Sequence, residues 1–217
     1  MYIPKLYKSE DLELMKEIIS ENAFALLISQ KDKLSATHSM FLMNESDENF
    51  YLETHISKAN FQAKVLKDGD EVLCDFLGAN SYISSSWYDH KNVSTWNYEA
   101  VQIRGTVKMM TDDELYEHLR KLTFKYEKAQ KCPMLVENMG DDYVRKEMKG
   151  AFGINILPTE IHIASKLSQN RDEVNAERII SNLMESNDPY SKEIAEKMKN
   201  SRDFFKSKAE GNDSDKL

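Results

Sequence analysis

FALLISQ-KDK-LSATHSMFLM-NESDEN-FYLETHI, residues 24–56, sets the architecture. Phe24–Ser29 is a short apolar run, and Lys31-Asp32-Lys33 reads as a turn. Leu34–Met43 is rich in Thr, Phe and Leu, the 44–49 stretch is a second polar turn, and Phe50–Ile56 is a third strand. Runs of this length, split by short polar turns, pair antiparallel, because only antiparallel neighbours can be joined by a few residues. The expectation is a three-stranded meander.

Working outward, Ser9 precedes a helical pattern that puts Leu12, Met15, Ile18 and Ile19 on one face. After the meander the pattern predicts a short helix over Lys58–Lys67, closed by Asp68-Gly69-Asp70, and a buried strand over Glu71–Leu77. Gly78–Ser94 reads as a long irregular segment. Trp96–Met110 reads as a long strand in which Gly105 marks a bend or bulge. Thr111-Asp112-Asp113-Glu114 has the form of a capping box, in which Thr and Glu satisfy each other's backbone N–H, and opens a helix to about Gln130. A helix near Asp141–Lys149 follows, then two strands, Phe152–Ile156 and Glu160–Leu167, on either side of Pro158. Beyond Asn170 the pattern turns helical, with Asp188-Pro189 as N-cap and first residue of a last helix. Six or seven mostly antiparallel strands interrupted by helices, without regular βαβ units, predict an antiparallel barrel of the α+β class with C-terminal helices. The expected division is a barrel over 1–170, a helical extension over 171–205 and a disordered tail over 206–217.

Composition narrows the classes of function. A chain of 217 residues with 41% hydrophobic residues buries a real core, which excludes a wholly disordered protein. Two cysteines, Cys74 and Cys132, are too few for a disulfide framework. No signal peptide and no bilayer-spanning run is visible, so the expected location is the cytoplasm, away from membrane. The 37 acidic residues against 29 basic ones, a net charge of -8, remove the simplest argument for DNA binding, a general cationic surface. The five histidines show no metal-ligand spacing with each other or with the cysteines, and the common glycine-rich nucleotide loops are absent.

Four segments carry more polar and aromatic chemistry than a core needs: Ser35–His38, Glu53–Asn60, Ser81–Tyr88 with Thr95–Tyr98, and Lys166–Arg171. Together with MYIPK at the start, the segments HISKANFQ, SYISSSWY, TWNYEAVQIRG and KLSQNRDE give the chain its resemblance to the PaiB family of FMN-binding negative transcriptional regulators, within the flavin split-barrel superfamily. The fragments follow the family's order from Met1 to Asn182. Departures are small: Ser85 and Phe61 stand where the family has proline, and Ser39-Met40-Phe41 replaces a Leu-Pro pair.

The resemblance implies a split barrel, a homodimer and FMN in grooves at the dimer interface. It implies no catalytic residue and no metal. FMN needs cations, hydroxyls and N–H groups for its phosphate, and apolar surface with amide-type partners for its rings. Thr54, His55, Lys58 and Asn60 suit the phosphate, with Thr37 and His38 on the preceding strand as further candidates. Ser57 as a plain helix cap with Lys58 solvated is the bland alternative. Ser84, Trp87, Trp96 and Asn97 are candidates for the ring, although aromatic residues in strands are more often core. Strand alternation puts Trp96 and Tyr98 on one face and Asn97 on the other, so one face or the other meets the ligand. Lys166, Gln169 and Asn170 form an arm that either reaches the flavin or merely turns the chain. Three functions follow: a flavin-dependent regulator, with DNA held open as a partner; an FMN-dependent oxidoreductase acting on a small molecule; or a barrel without flavin that serves as an interaction module.

Overall fold

The structure is a computed structural model that describes residues 1–45 and 50–211, with side chains through residue 202. The elements are β1 (Lys8–Ser9), α1 (Leu12–Glu21), β2 (Phe24–Lys31), β3 (Lys33–Glu45), β4 (Phe50–Ser57), α2 (Phe61–Val65), β5 (Glu71–Ile83), β6 (Thr95–Met109), α3 (Asp112–Glu127), α4 (Val136–Met139), α5 (Asp141–Glu147), β7 (Ala151–Lys166), α6 (Glu173–Glu185) and α7 (Pro189–Gly211). The strand order is β1-β7-β4-β3-β2-β5-β6, and β6 also pairs with β7. Six strands, β2 to β7, therefore close into the antiparallel barrel expected from the sequence.

The meander is as read. Leu27 pairs with Thr37 across β2–β3, and Leu52 with Met43 across β3–β4. Asp32 takes the left-handed φ of 61° at the first turn, which a short polar side chain tolerates. The second turn, 46–49, lies outside the described residues.

Three elements differ from expectation. The helix after β4 is only Phe61–Val65, because Asn60 caps it by accepting from the Gln62 N–H at 2.9 Å. β5 runs on through Ile83: Ala79, Ser81 and Ile83 are buried in alternation with outward Asn80 and Tyr82, a pattern hidden by its small and polar residues. β7 is one strand of 16 residues rather than two. Pro158 lies between the 151–156 stretch paired with β4 and the 163–164 pair with β1, so its missing N–H costs neither ladder. On β6 Gly105 admits β7, since an added Cβ would stand 2.6 Å from the Leu157 carbonyl oxygen.

The chain divides into two compact units. The central unit holds 13–76 and 102–161, and the terminal unit holds 1–12, 77–101 and 162–217. In the central unit Leu27, Phe41, Leu52, Phe76, Ile154 and Ile156 are fully buried, with Phe41 and Phe76 edge to face at 5.1 Å. Each such side chain contributes about 1.5–3 kcal/mol of apolar burial. Met15, Ile18 and Ile19 of α1 are buried as expected, whereas Leu12 is exposed. α3 opens with the predicted capping box: Glu114 N–H donates to Thr111 Oγ1 at 3.2 Å and Thr111 N–H donates to Glu114 Oε2 at 2.8 Å. In the terminal unit α6 and α7 pack Ile179, Leu183, Ile194 and Met198 around Ile83 and Tyr88. Asp172 caps α6, and Asp188 accepts from the Ser191 N–H at the start of α7. α7 continues to Gly211; the rest of the segment read as a tail, 212–217, lies outside the described residues.

Candidate functional site

In the central unit the expected phosphate residues do not come together. Thr54 is fully buried and bonded within the meander: its hydroxyl donates to the Met40 carbonyl at 2.7 Å and lies 2.7 Å from Ser39 Oγ. Thr37 and Asn60 bond each other and Gln62. Asn60 Nδ2 donates to Thr37 Oγ1 at 2.9 Å, and Thr37 Oγ1 donates to Gln62 Oε1. The Gln62 amide is wholly buried and donates to Ser29 Oγ at 2.9 Å and to the Leu27 carbonyl at 3.2 Å. These hydroxyls and amides fasten α2 to the barrel. His38 is exposed and stacked on Phe24 at 5.4 Å.

Lys58 is exposed and free of ion pairs among the described residues. Its backbone N–H donates to the Gly150 carbonyl at 2.8 Å, which sets it beside the turn carrying Lys149. Lys58, Arg145 and Lys149 line a pocket of about 250 Å³ together with Asp112 and Met148. Arg145 is partly neutralised by Asp141 at 2.9 Å and Asp113 at 3.5 Å. Two unpaired lysines and an arginine against Asp112 make a donor set suited to a phosphate dianion. Sequence reasoning missed Arg145 and Lys149, whose place beside Lys58 depends on how the helical insertion folds back.

His55 turns elsewhere. Its Nδ1 lies 3.0 Å from Nε2 of His118 on α3, and Nδ1 of His118 lies 3.2 Å from Glu53 Oε2. Lys121 closes on Glu53 Oε1 at 3.1 Å. Burial raises the pKa of the Glu53 carboxyl, but the hydrogen bonds from His118 and Lys121 outweigh it and hold the group below its ordinary 4.5. Burial first, and the neighbouring His118 second, push His55 down from 6.5 to about 4. Glu53, although inside the segment singled out from sequence, and His118 were not among the candidate site residues. The available signals were a carboxylate beside the inward Leu52 and a histidine three residues after the inward Leu115.

The terminal unit holds the remaining candidates. Asn97 is fully buried, and its amide and the Ser168 hydroxyl bond each other at 2.9 and 3.1 Å. Ser168 has φ 58°, a strained turn that this exchange and Gln169 hold. Gln169 accepts from the Leu167 N–H at 2.8 Å and donates to the Ser165 carbonyl at 2.6 Å. Asn170 is exposed. Ser84 caps the 3-10 turn Ser85–Trp87, accepting from the Ser86 N–H at 3.2 Å. Trp87 is partly buried and packs on the α6–α7 core. Trp96 is 49% exposed, donates to Asn80 Oδ1 at 3.1 Å and lies 6.0 Å from Tyr82, itself 47% exposed. On β6 it is therefore the aromatic face that looks outward. Lys166 donates to Thr95 Oγ1 at 2.5 Å, and burial together with nearby Arg171 lowers its pKa. Arg171 Nε and Tyr88 Oη are buried without a hydrogen-bond partner among the described residues, and the guanidinium sits 5.0 Å over the Tyr88 ring. Unsatisfied donors beside two cations suit the carbonyl or phosphate oxygens of a ligand.

Comparison with known proteins agrees with this chemistry. The family described as "Putative FMN-binding domain" matches residues 1–160. The chain is 37% identical over 199 residues to the Protease synthase and sporulation protein PAI 2 of Bacillus subtilis, covering 91% of this chain and 96% of that one. Among solved structures, the FAD and Heme binding protein from Mycobacterium smegmatis superposes with a TM-score of 0.57 at 15% identity, over 78% of each chain. The Flavocytochrome Anf3 from Azotobacter vinelandii superposes with a TM-score of 0.54 at 16% identity, over 80% of this chain and 77% of that one. At these identities the two superpositions speak for the fold, while the family match speaks for the cofactor class. The chain belongs to the FMN-binding, PaiB-like family of flavin split-barrel proteins, and its cofactor is FMN.

Proposed function

We propose that the protein is a homodimeric, cytoplasmic regulator of the PaiB type, with FMN at the dimer interface and its phosphate at the Lys58 pocket. The observation that carries the anchor is the basic pocket itself, where Lys58 and Lys149 have no ion pair among the described residues and Arg145 adds a third cation. His55, Thr54, Thr37 and Asn60 fall outside that anchor, because the fold spends their polar atoms internally or turns them away. Within the terminal unit Trp96 and Tyr82 supply aromatic surface for a second subunit to cover. When bound, FMN supplies a two-electron redox centre. In this reading the flavin-binding domain spans 1–170 and α6 and α7 form a helical extension. The relationship over nearly both full lengths to PAI 2, a protein named for protease synthesis and sporulation, supports a role in controlling expression rather than in metabolism.

Titrating FMN into the flavin-free protein, read by flavin emission, tests the anchor. Lys58→Ala is expected to weaken binding about tenfold, the usual worth of one charge-assisted contact. Unchanged affinity refutes the assignment of Lys58. The regulatory role is tested by gel-shift on the DNA upstream of the protein's own gene, with and without NAD(P)H. A shift that depends on the reductant supports it. Absence of binding at any salt concentration refutes direct regulation, and turnover of NAD(P)H with a small-molecule acceptor would move the assignment to an oxidoreductase.

A further inference from the structure

Lys166, Arg171 and the loop from Tyr88 to Thr95 all belong to the terminal unit. Each end of that loop meets one of the two cations. The Arg171 guanidinium covers the Tyr88 ring, and Lys166 donates to Thr95 Oγ1. Lys166 also stands 5.7 Å over the ring of Tyr7.

The charges are unmatched. Neither cation has a carboxylate partner among the described residues. The acids adjoining them in sequence are committed elsewhere. Asp89 lies 2.6 Å from His90 and accepts from Asn175 at 3.0 Å, while Asp172 accepts from the Asn175 N–H at 3.0 Å as the cap of α6. Burial first, and then the like charge of Arg171, lower the pKa of Lys166, and no carboxylate raises it.

The donors are unmatched as well. Tyr88 is 5% exposed, yet its hydroxyl has no hydrogen-bond partner among the described residues. Arg171 Nε has none either, nor has Asn92 Nδ2 within the same loop. All three groups can donate. Folded proteins pair nearly all of their buried polar atoms, so orphans gathered on one loop and on the arginine stacked against it call for an acceptor from outside the chain. A neutral acceptor would leave the two cations repelling each other. An oxyanion answers both needs, since it accepts from several donors and neutralises the charge.

We infer that the terminal unit holds an oxyanion site, separate from the Lys58 pocket, in which Arg171, Lys166 and the Tyr88 hydroxyl hold the carboxylate or phosphate group of a small ligand.

The test uses the full chain kept saturated with FMN and titrated calorimetrically at pH 7.5 with acetate, inorganic phosphate and acetamide, at constant ionic strength in chloride. Flavin emission is followed in parallel. At least one of the two anions is expected to bind with FMN still in place, and neutral acetamide is not. The tighter of the two tells a carboxylate ligand from a phosphate one. Tyr88→Phe keeps the ring beneath the guanidinium and removes only the hydroxyl, so it should weaken the anion about tenfold. Arg171→Gln should abolish binding, and Lys58→Ala should leave it unchanged, which keeps the result independent of the flavin anchor. If Arg171→Gln does not fold, Tyr88→Phe decides, together with the rise in melting temperature that a bound anion gives the unmutated protein. No binding of either anion, equal binding of acetamide, displacement of FMN, loss of anion binding in Lys58→Ala, or unchanged affinity in Arg171→Gln or Tyr88→Phe overturns the inference.

Discussion

Gly105→Ala will destabilise the protein by about 3 kcal/mol, lowering the melting temperature by roughly 6–12 °C for a chain of this size. The cause is backbone, not side chain. A Cβ at this position stands 2.6 Å from the Leu157 carbonyl oxygen, 3.1 Å from the Leu157 carbonyl carbon and 2.6 Å from Ile156 Cγ2. Ile156 is fully buried and paired with Leu52, so β7 has little room to yield. Two glycines nearby grade the effect. At Gly153 the added carbon meets the ends of flexible side chains, Met110 Sδ at 2.6 Å and Leu115 Cδ1 at 2.9 Å, and the loss should be smaller. At Gly150 nothing lies within 4 Å, and alanine should be tolerated within about 0.5 kcal/mol. Calorimetry on the three variants gives the order 105, 153, 150. If Gly105→Ala melts with Gly150→Ala, β6 and β7 do not approach this closely.

The second large effect is loss of stability in mild acid. The unfolded chain protonates His55 near pH 6.5, whereas the folded protein resists until about 4. Between those values the unfolded state holds more protons, so stability falls as pH falls, by roughly 3 kcal/mol across the window. Glu53 acts in the same direction, since its depressed pKa gives stability that is present above 4.5 and is lost as acid protonates it. Urea midpoints measured from pH 8 to pH 4.5 should slope downward below 6.5. His55→Leu should flatten the slope between 6.5 and 5. A variant with the slope of the parent protein would show that His55 does not titrate in this way.

The fold was largely legible where chemistry alternated over short distances. Phe24–Ile56 announces its strands because polar turns interrupt each apolar run. The capping box at Thr111 and the Asp188-Pro189 pair are local devices, and local devices survive in sequence. Illegible segments depended on distant partners. Ser81, inside β5, has its buried hydroxyl met by Ser191 Oγ at 2.9 Å, 110 positions along the chain. Pro158 looked like a break because nothing local shows that its N–H is not needed. The site divides in the same way. The sequence could mark His55 and Lys58 as unusual, but not where they point. Glu53 and His118 are separated by 65 positions, so their bond is visible only once α3 lies over β4. Asn97 drew notice for sitting between aromatics, and the fold gives a quieter reason, the strained turn at Ser168.

The placement of the two tryptophans also governs how unfolding of this molecule can be watched. Trp87 and Trp96 both belong to the terminal unit, and the central unit has none. A melt followed at the indole wavelength reports one unit only, with Trp87 the responsive probe because it leaves a packed core while Trp96 is already half in water. The barrel residues that hold Glu53, His118 and the basic pocket stay silent to it, and only backbone or calorimetric signals register their loss. Agreement of the two midpoints would mark the chain as a single cooperative system, and a gap between them would measure how far each unit stands by itself.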